Sequence, residues 1–347
     1  MRILLVSHQL DFSGAPNALL GAARVLVREG VAVDLLTLSH GPLAAGFEEI
    51  GTRLITRTDF LGYDLVILNT VVTAKLAFSI PKTIRYLIWI HESPLLFIHS
   101  DIPYIVSRAA EKASALIFPT DSTAQEWARY SSMRQGRVHV FNTLCPVDLP
   151  STFQTRNRTL IRSERTIKPL RVITIDPVEY FRGFRVLAQS IREVASEGLE
   201  ISYTAVGATR QQVDSIFEGS GVVEVNATGR LPRTSVLELL QQSDLYVSTS
   251  AFATQNLGLC EATLLGVPSI ASDIAVHRAW AEKMGGAVLL SGLFEPEELS
   301  CNIKRVAASY TAYQAIAQSA KVVARDILSD ERFKYTLMQI IRLITTF

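Results

Sequence analysis

The stretch MRILLVSHQLDFSGAPNALLGAARVLVREGVAVDLLTL (Met1–Leu38) decides how the fold is read. Ile3–Ser7 is apolar without alternation, as strands covered on both faces are. The loop Asp11–Pro16 follows it. Asn17–Glu29 then sets Leu19, Leu20, Ala23 and Val27 at helical spacing, and Gly30 ends the helix. Val31–Leu38 is a second strand. Strand, helix and strand in this order make a parallel pair with a right-handed crossover. The opening residues lack a small-residue cleavage site, so they read as a first strand and not as a secretory leader.

Outward from there the same alternation continues. Asp64–Asn69, Tyr86–Ile90, Ala115–Pro119 and Val138–Phe141 are further strands, with helical patterns between most of them. From Pro150 to Pro169 the apolar periodicity stops, and Arg156, Arg158, Arg162, Arg165 and Lys168 alternate with Thr, Ser and Asn. That composition is a solvated linker, or else a contact for a membrane surface or acceptor. The series then restarts. Arg171–Ile175, Ile201–Val206, Val222–Val225, Leu245–Ser248 and Ser269–Ala271 are strands; Gly183–Ser196, Gln211–Phe217, Ser235–Gln242 and Leu257–Leu265 are helices. A last amphipathic helix is expected after a Ser329 cap. The chain has 347 residues, which at about 150 per domain suggests two domains. The expected division is 1–150, a linker 151–169, 170–328, and a helix 329–347 that returns to the first domain.

Composition removes several classes. Lys plus Arg is 34 and Asp plus Glu is 33, a net charge of +1, so no globally basic nucleic-acid binder is indicated. Cys145, Cys260 and Cys301 are few and far apart, which gives neither a disulfide framework nor a zinc cluster. No apolar run is long enough to span a bilayer. Gly-x-Gly-x-x-Gly after a strand, a P-loop and a Gly-x-Ser-x-Gly elbow are all missing, and the histidines do not pair as in a zincin helix. A soluble α/β protein of a reducing compartment is the expectation.

In open parallel sheets ligands bind beyond the carboxyl ends of strands. Three stretches stand there. Ser13-Gly14-Ala15 lets a helix N-terminus approach an anion, or simply makes a tight turn. His91-Glu92 ends a buried strand, as ligand contacts or as a capped loop. The third runs from Ser248 through Ala253, Thr254, Gln255, Asn256, Leu257 and Gly258 to Glu261. Asn256–Gly258 would offer free N–H groups and the positive end of a helix. Glu261 stands one turn in among apolar neighbours, where a carboxylate can accept two ribose hydroxyls.

On these residues the sequence resembles the GT-B retaining glycosyltransferases of family 4, the group 1 type. The resemblance rests on Ile3–Ser7 with Ser13-Gly14-Ala15 and Gly30-Val31, on His91, and on Arg182-Gly183-Phe184 before a long helix. It continues through Gly229-Arg230-Leu231 to Asp244-Leu245-Tyr246-Val247, and is strongest over Leu259-Cys260-Glu261-Ala262, Leu265-Gly266-Val267-Pro268 and Ala271-Ser272-Asp273. It implies an α/β GT-B architecture, two Rossmann-like parallel-sheet domains facing across a cleft. It implies transfer of a sugar from a nucleotide-diphosphate sugar with retention, with no metal or other cofactor. The implied acceptor is a glycan, a lipid-linked sugar or a small molecule, as in bacterial polysaccharide biosynthesis. No nucleic acid is expected as a partner. A cytoplasmic location is expected, with peripheral contact at the inner membrane face.

The family pattern makes His91, Arg182 and Glu261 the catalytic set. Gly14, Ala15, Arg182, Gly183, Gly207, Arg230, Leu231, Asn256, Leu257, Gly258 and Glu261 would hold nucleotide and phosphates, and Ala253, Thr254 and Gln255 would lie beside the sugar. Asp11, Ser13, Asn17 and Glu92 are acceptor-side candidates, and Phe97, Ile98 and Ile102 either meet lipid or pack inside. Two positions depart from the pattern. The first of the family's two glutamates is Ala253 here, and an arginine before the basic-Gly pair is Pro177. Thr254 or Gln255 would be a neutral substitute suited to a sugar lacking a hydroxyl, such as a deoxy sugar. These losses leave two alternatives, a non-catalytic scaffold of the same fold and a nucleotide-sugar epimerase.

Overall fold

The computed structural model describes residues 1–130, 136–141, 169–217 and 223–345. All but the last residue of the 151–169 linker, and Cys145 with it, lie outside them. Two compact units make up the molecule, Met1–Val147 with Leu328–Phe347, and Asp148–Ile327.

The first unit is built on a seven-stranded sheet. Its strands are β1 (Arg2–Ser7), β2 (Ala32–Thr37), β3 (Arg53–Ile55), β4 (Leu65–Asn69), β5 (Arg85–Trp89), β6 (Ala115–Phe118) and β7 (Val138–Val140). Their order is β3-β2-β1-β4-β5-β6-β7, and every pairing is parallel. The order reverses between β1 and β4, so the carboxyl ends of these strands flank a crevice. One face of the sheet packs Ile3, Leu5, Ile67 and Trp89 against the helix Gly14–Arg28, and the other packs Leu4, Val6, Val66 and Ile88 under Trp127. Burial of alternate residues on both faces is why these strands read as unbroken apolar runs.

The first helix begins at Gly14, not at Asn17. Ser13 takes the extended cap conformation, its N–H and hydroxyl both donate to the Asp11 carboxylate, and Pro16 falls in the first turn, where a missing N–H is harmless. Ser13-Gly14-Ala15 is therefore the helix start itself. The helix Asp330–Thr345 belongs to this unit. Phe333, Leu337, Met338, Ile340, Ile341 and Ile344 enter the same core as β1 and the first helix, and Phe333 lies 4.8 Å from the Phe141 ring.

The second unit has six parallel strands, β8 (Leu170–Ile175), β9 (Ile201–Val206), β10 (Val223–Gly229), β11 (Leu245–Ser248), β12 (Ser269–Ser272) and β13 (Val288–Ser291). Their order is β10-β9-β8-β11-β12-β13, with the reversal between β8 and β11. The helices Phe184–Ser196 and Pro296–Ala308 pack together over Val172, Tyr203, Val247 and Ile270. The short strands β3 and β13 and the helices Pro296–Ala308 and Tyr310–Ile327 were not evident in the sequence pattern, because few of their residues give a continuous apolar run.

Leu337 is fully buried. Leu337→Ala should lower stability by about 2–5 kcal/mol, read as a lower midpoint of chemical unfolding; an unchanged midpoint would show that the last helix does not dock.

Candidate functional site

In the second unit the site grows from the junction of β11 with the helix Leu257–Leu265. Asn256 caps that helix, its Oδ1 accepting the Leu259 N–H at 3.0 Å and the Tyr246 hydroxyl at 3.0 Å. Because a backbone N–H can only donate, the orientation of the amide is fixed. Asn256 Nδ2 therefore donates to Ser248 Oγ at 2.9 Å and to His277 Nε2 at 3.0 Å. His277 must then carry its proton on Nδ1, which donates to the Ser272 carbonyl at 2.8 Å. Complete burial holds this imidazole neutral, with its pKa near 4, and the Ser272 carbonyl opposes that shift. Gly258 is required at the start of the helix, since a Cβ there would stand 2.7 Å from the Tyr246 hydroxyl.

Glu261 lies one turn along and is 7% exposed. Its carboxylate pairs with Arg233 Nε at 2.9 Å. Burial raises its pKa and Arg233 opposes the rise. Arg233 opens the helix Arg233–Gln242, just after Arg230 and Leu231, which are exposed and half-buried. Ala253, Thr254 and Gln255 form the half-buried turn between β11 and the Leu257 helix.

Arg182 comes from the turn after β8. It pairs with Asp176 at 3.0 Å, donates to Ser250 Oγ at 3.1 Å and stacks 4.7 Å over the Phe181 ring. Gly183 (φ 67°) follows, and a Cβ there would collide with the Thr249 carbonyl. Gly207 (φ 94°) closes against the Asp176 backbone. The Ser272 hydroxyl donates to the Ser250 carbonyl, so one chain of hydrogen bonds runs from Arg182 through Ser250, Ser272 and His277 to Asn256. Arg182, Gly183, Gly207, Asn256, Gly258 and Glu261 thus gather at the carboxyl edge around β8 and β11. Asp176, Arg233 and His277 join them unannounced. Each is a polar residue next to a strand end or helix start, a signal too common to single out.

The first unit has its own polar cluster. Asn69, at the end of β4, donates to the Ala15 carbonyl at 3.2 Å, so its Oδ1 accepts from His91 Nε2 at 2.7 Å. Burial keeps His91 neutral, with its pKa near 3. Glu92 accepts the N–H groups of Val71 and His91, and burial lifts its pKa to about 7 against those bonds. Thr70 has φ 83° and ψ 157°, a region almost reserved for glycine, and its hydroxyl meets His8 Nδ1 at 3.0 Å. Ala15 and His91 are brought together through Asn69, and Gly14 is the first residue of the helix that carries Ala15. Asp11, Ser13 and Asn17 engage their own loop, Asn17 donating to the Phe12 and Ser13 carbonyls. Phe97 and Ile102 pack on the core, and Ile98 is 51% exposed. Among the described residues no group of His, Cys, Asp and Glu is arranged to hold a metal ion, and no helix is long and apolar enough to cross a membrane.

Two doubly wound units of this kind are the GT-B architecture of glycosyltransferases. Residues 1–150 match the family described as Glycosyl-transferase family 4, and residues 171–309 match Glycosyl transferases group 1. The chain belongs to these glycosyltransferases. Among solved structures it is similar to HepE of Anabaena in complex with UDP, at 18% identity and TM-score 0.77, over 100% of each chain. It is also similar to sucrose-phosphate synthase of Thermosynechococcus elongatus, at 13% identity and TM-score 0.76, over 100% of this chain and 99% of that one. A glycosyltransferase of Rickettsia africae matches at 12% identity and TM-score 0.76, over 99% and 98%. Among curated proteins no sequence match reaches significance.

Asn256→Ala removes the helix cap and leaves Tyr246, Ser248 and His277 short of partners. A loss of about 2–4 kcal/mol is expected in denaturant unfolding; a loss below about 0.5 kcal/mol would show that the amide is not the hub of this network.

Proposed function

We propose that the protein moves a sugar from a nucleotide-diphosphate sugar to a glycan, lipid-linked or small-molecule acceptor, with retention of configuration and without a metal ion. The observation that carries this is Glu261, a buried carboxylate held by Arg233 on a helix whose N-terminus is fixed by Asn256. Glu261 accepts the ribose hydroxyls. The N–H groups at Leu257 and Gly258 and the Arg182 guanidinium meet the diphosphate, where charge develops as the sugar leaves. HepE has been crystallised with UDP and with UDP-glucose, which supports a nucleotide sugar as the donor here.

The proton of the attacking hydroxyl passes to the departing diphosphate on the same face of the sugar, which preserves the anomeric configuration. His91, neutral, contacts the sugar or acceptor. Glu92, Asp11, Ser13 and Asn17 form the acceptor side, and a lipid-linked acceptor would meet the exposed Leu95, Leu96 and Ile98. Thr254 or Gln255 replaces the missing carboxylate at Ala253 as a neutral contact, which suits a sugar lacking a hydroxyl, such as a deoxyhexose.

Incubation with UDP-, GDP-, ADP- and dTDP-sugars should release one nucleoside diphosphate, undiminished by EDTA, into a product of retained configuration by NMR. Arg182→Ala should cut the rate about a hundredfold or more. No release from any donor would favour a non-catalytic scaffold, and a free epimerised sugar an epimerase.

A further inference from the structure

The cation assigned to the donor's diphosphate is already occupied. Arg182 Nη1 lies 3.0 Å from Asp176 Oδ1, and the two side chains are 24% and 13% exposed. Ser250 Oγ bridges them, accepting from Arg182 at 3.1 Å and lying 3.4 Å from Asp176 Oδ2. Glu179 adds a second carboxylate 3.7 Å from Arg182 Nε. Among the described residues neither acid pairs with another cation. The geometry points to Asp176 as a built-in counter-anion of Arg182, which the donor's diphosphate displaces or shares on binding, so that Asp176 lowers donor affinity and governs its release. This rests on the assignment of Arg182 to the diphosphate.

The physical basis is charge at short range in a site removed from water. A carboxylate beside Arg182 cancels much of the potential that a diphosphate would feel, and faces it as a like charge. The position is also built: Gly207 gives up its side chain to let the β9 turn close on the Asp176 backbone, with a Cβ there only 3.1 Å from the Asp176 carbonyl. Beyond Glu179, the charged groups nearest this network are Asp273, paired with Arg278 beside His277, and Glu261, paired with Arg233 beside Tyr246. Tyr203 on β9 and Tyr246 on β11 are buried phenols held un-ionised, and His277 is neutral. Burial lifts the Asp176 carboxyl to about 6, with Arg182 and Ser250 opposing and Glu179 assisting. Asp176 is thus ionised above about pH 6 and neutral below it, and its repulsion of the donor fades in that direction.

The test is the affinity of Asp176→Asn for UDP-glucose, GDP-mannose, ADP-glucose, dTDP-glucose and inorganic pyrophosphate, by calorimetry beside the unmodified protein. The diphosphate of a nucleotide sugar is esterified at both ends and keeps its charge across the range, so the pH comparison uses these donors. At about pH 8 the variant should bind at least about tenfold tighter. At about pH 5 the two proteins should converge, because Asp176 of the unmodified protein is then mostly protonated and, like the Asn of the variant, carries no charge. Asp176 in a merely structural role would give the opposite sign, weaker binding with a lower melting temperature. Glu179→Gln, at a residue 46% exposed, should tighten binding about twofold and serves if Asp176→Asn does not fold. Arg182→Ala separates the two assignments. If it leaves binding unchanged, Arg182 is not the diphosphate cation. If it abolishes binding while Asp176→Asn does not tighten it, the counter-anion alone is overturned. Absence of binding by every protein to every probe also overturns it.

Discussion

One carboxamide constrains the second unit. Asn256 stands where β11 turns into the Leu257 helix, and its two ends hold the helix N-terminus, a phenol, a serine and a neutral imidazole at once. The helix it caps is buried on all sides, so its N–H groups cannot rely on water. That buried, apolar helix makes Glu261 costly to place, and Arg233 offsets the cost. The same network reaches Arg182 through His277, Ser272 and Ser250. Geometry at the helix N-terminus and geometry at the cation are therefore coupled.

The first unit repeats the principle with different groups. Asn69 ties the first helix to His91, and Thr70 holds a strained backbone to reach His8. Strain of order 1–3 kcal/mol persists only where surrounding contacts over-determine it. Thr70 is fully buried between bonds to Trp89 and Thr73. Neutral histidines and a raised carboxyl at one sheet edge set this cluster apart from the ion pairs of the second unit.

The parallel strands were legible in the sequence because both faces of each sheet are covered. Ile201–Val206, Leu245–Ser248 and the helix Leu257–Leu265 show their full bounds, while the Asn256 cap and the left-handed Gly266 at the ends of that helix are seen only in the structure. The start of the first helix was not legible, since Pro16 and Gly14 read as loop residues until the Asp11–Ser13 cap is seen. At the site, the residue types at Glu261 and Arg182 were evident, but their partners were not. Arg233 and Asp176 lie 28 and 6 positions away in sequence, and only the fold brings them within ion-pair distance. Periodicity reports which side of an element is buried; it carries no information on which polar groups meet.

The most direct test of a nucleotide site in the second unit is calorimetric titration of UDP, GDP, ADP and dTDP into the protein and into Glu261→Ala. One nucleotide should bind, and more weakly to the variant by about 1–3 kcal/mol for the lost carboxylate contact. Equal affinity in the two proteins, or no binding at all, would contradict the assignment of Glu261 to the ribose.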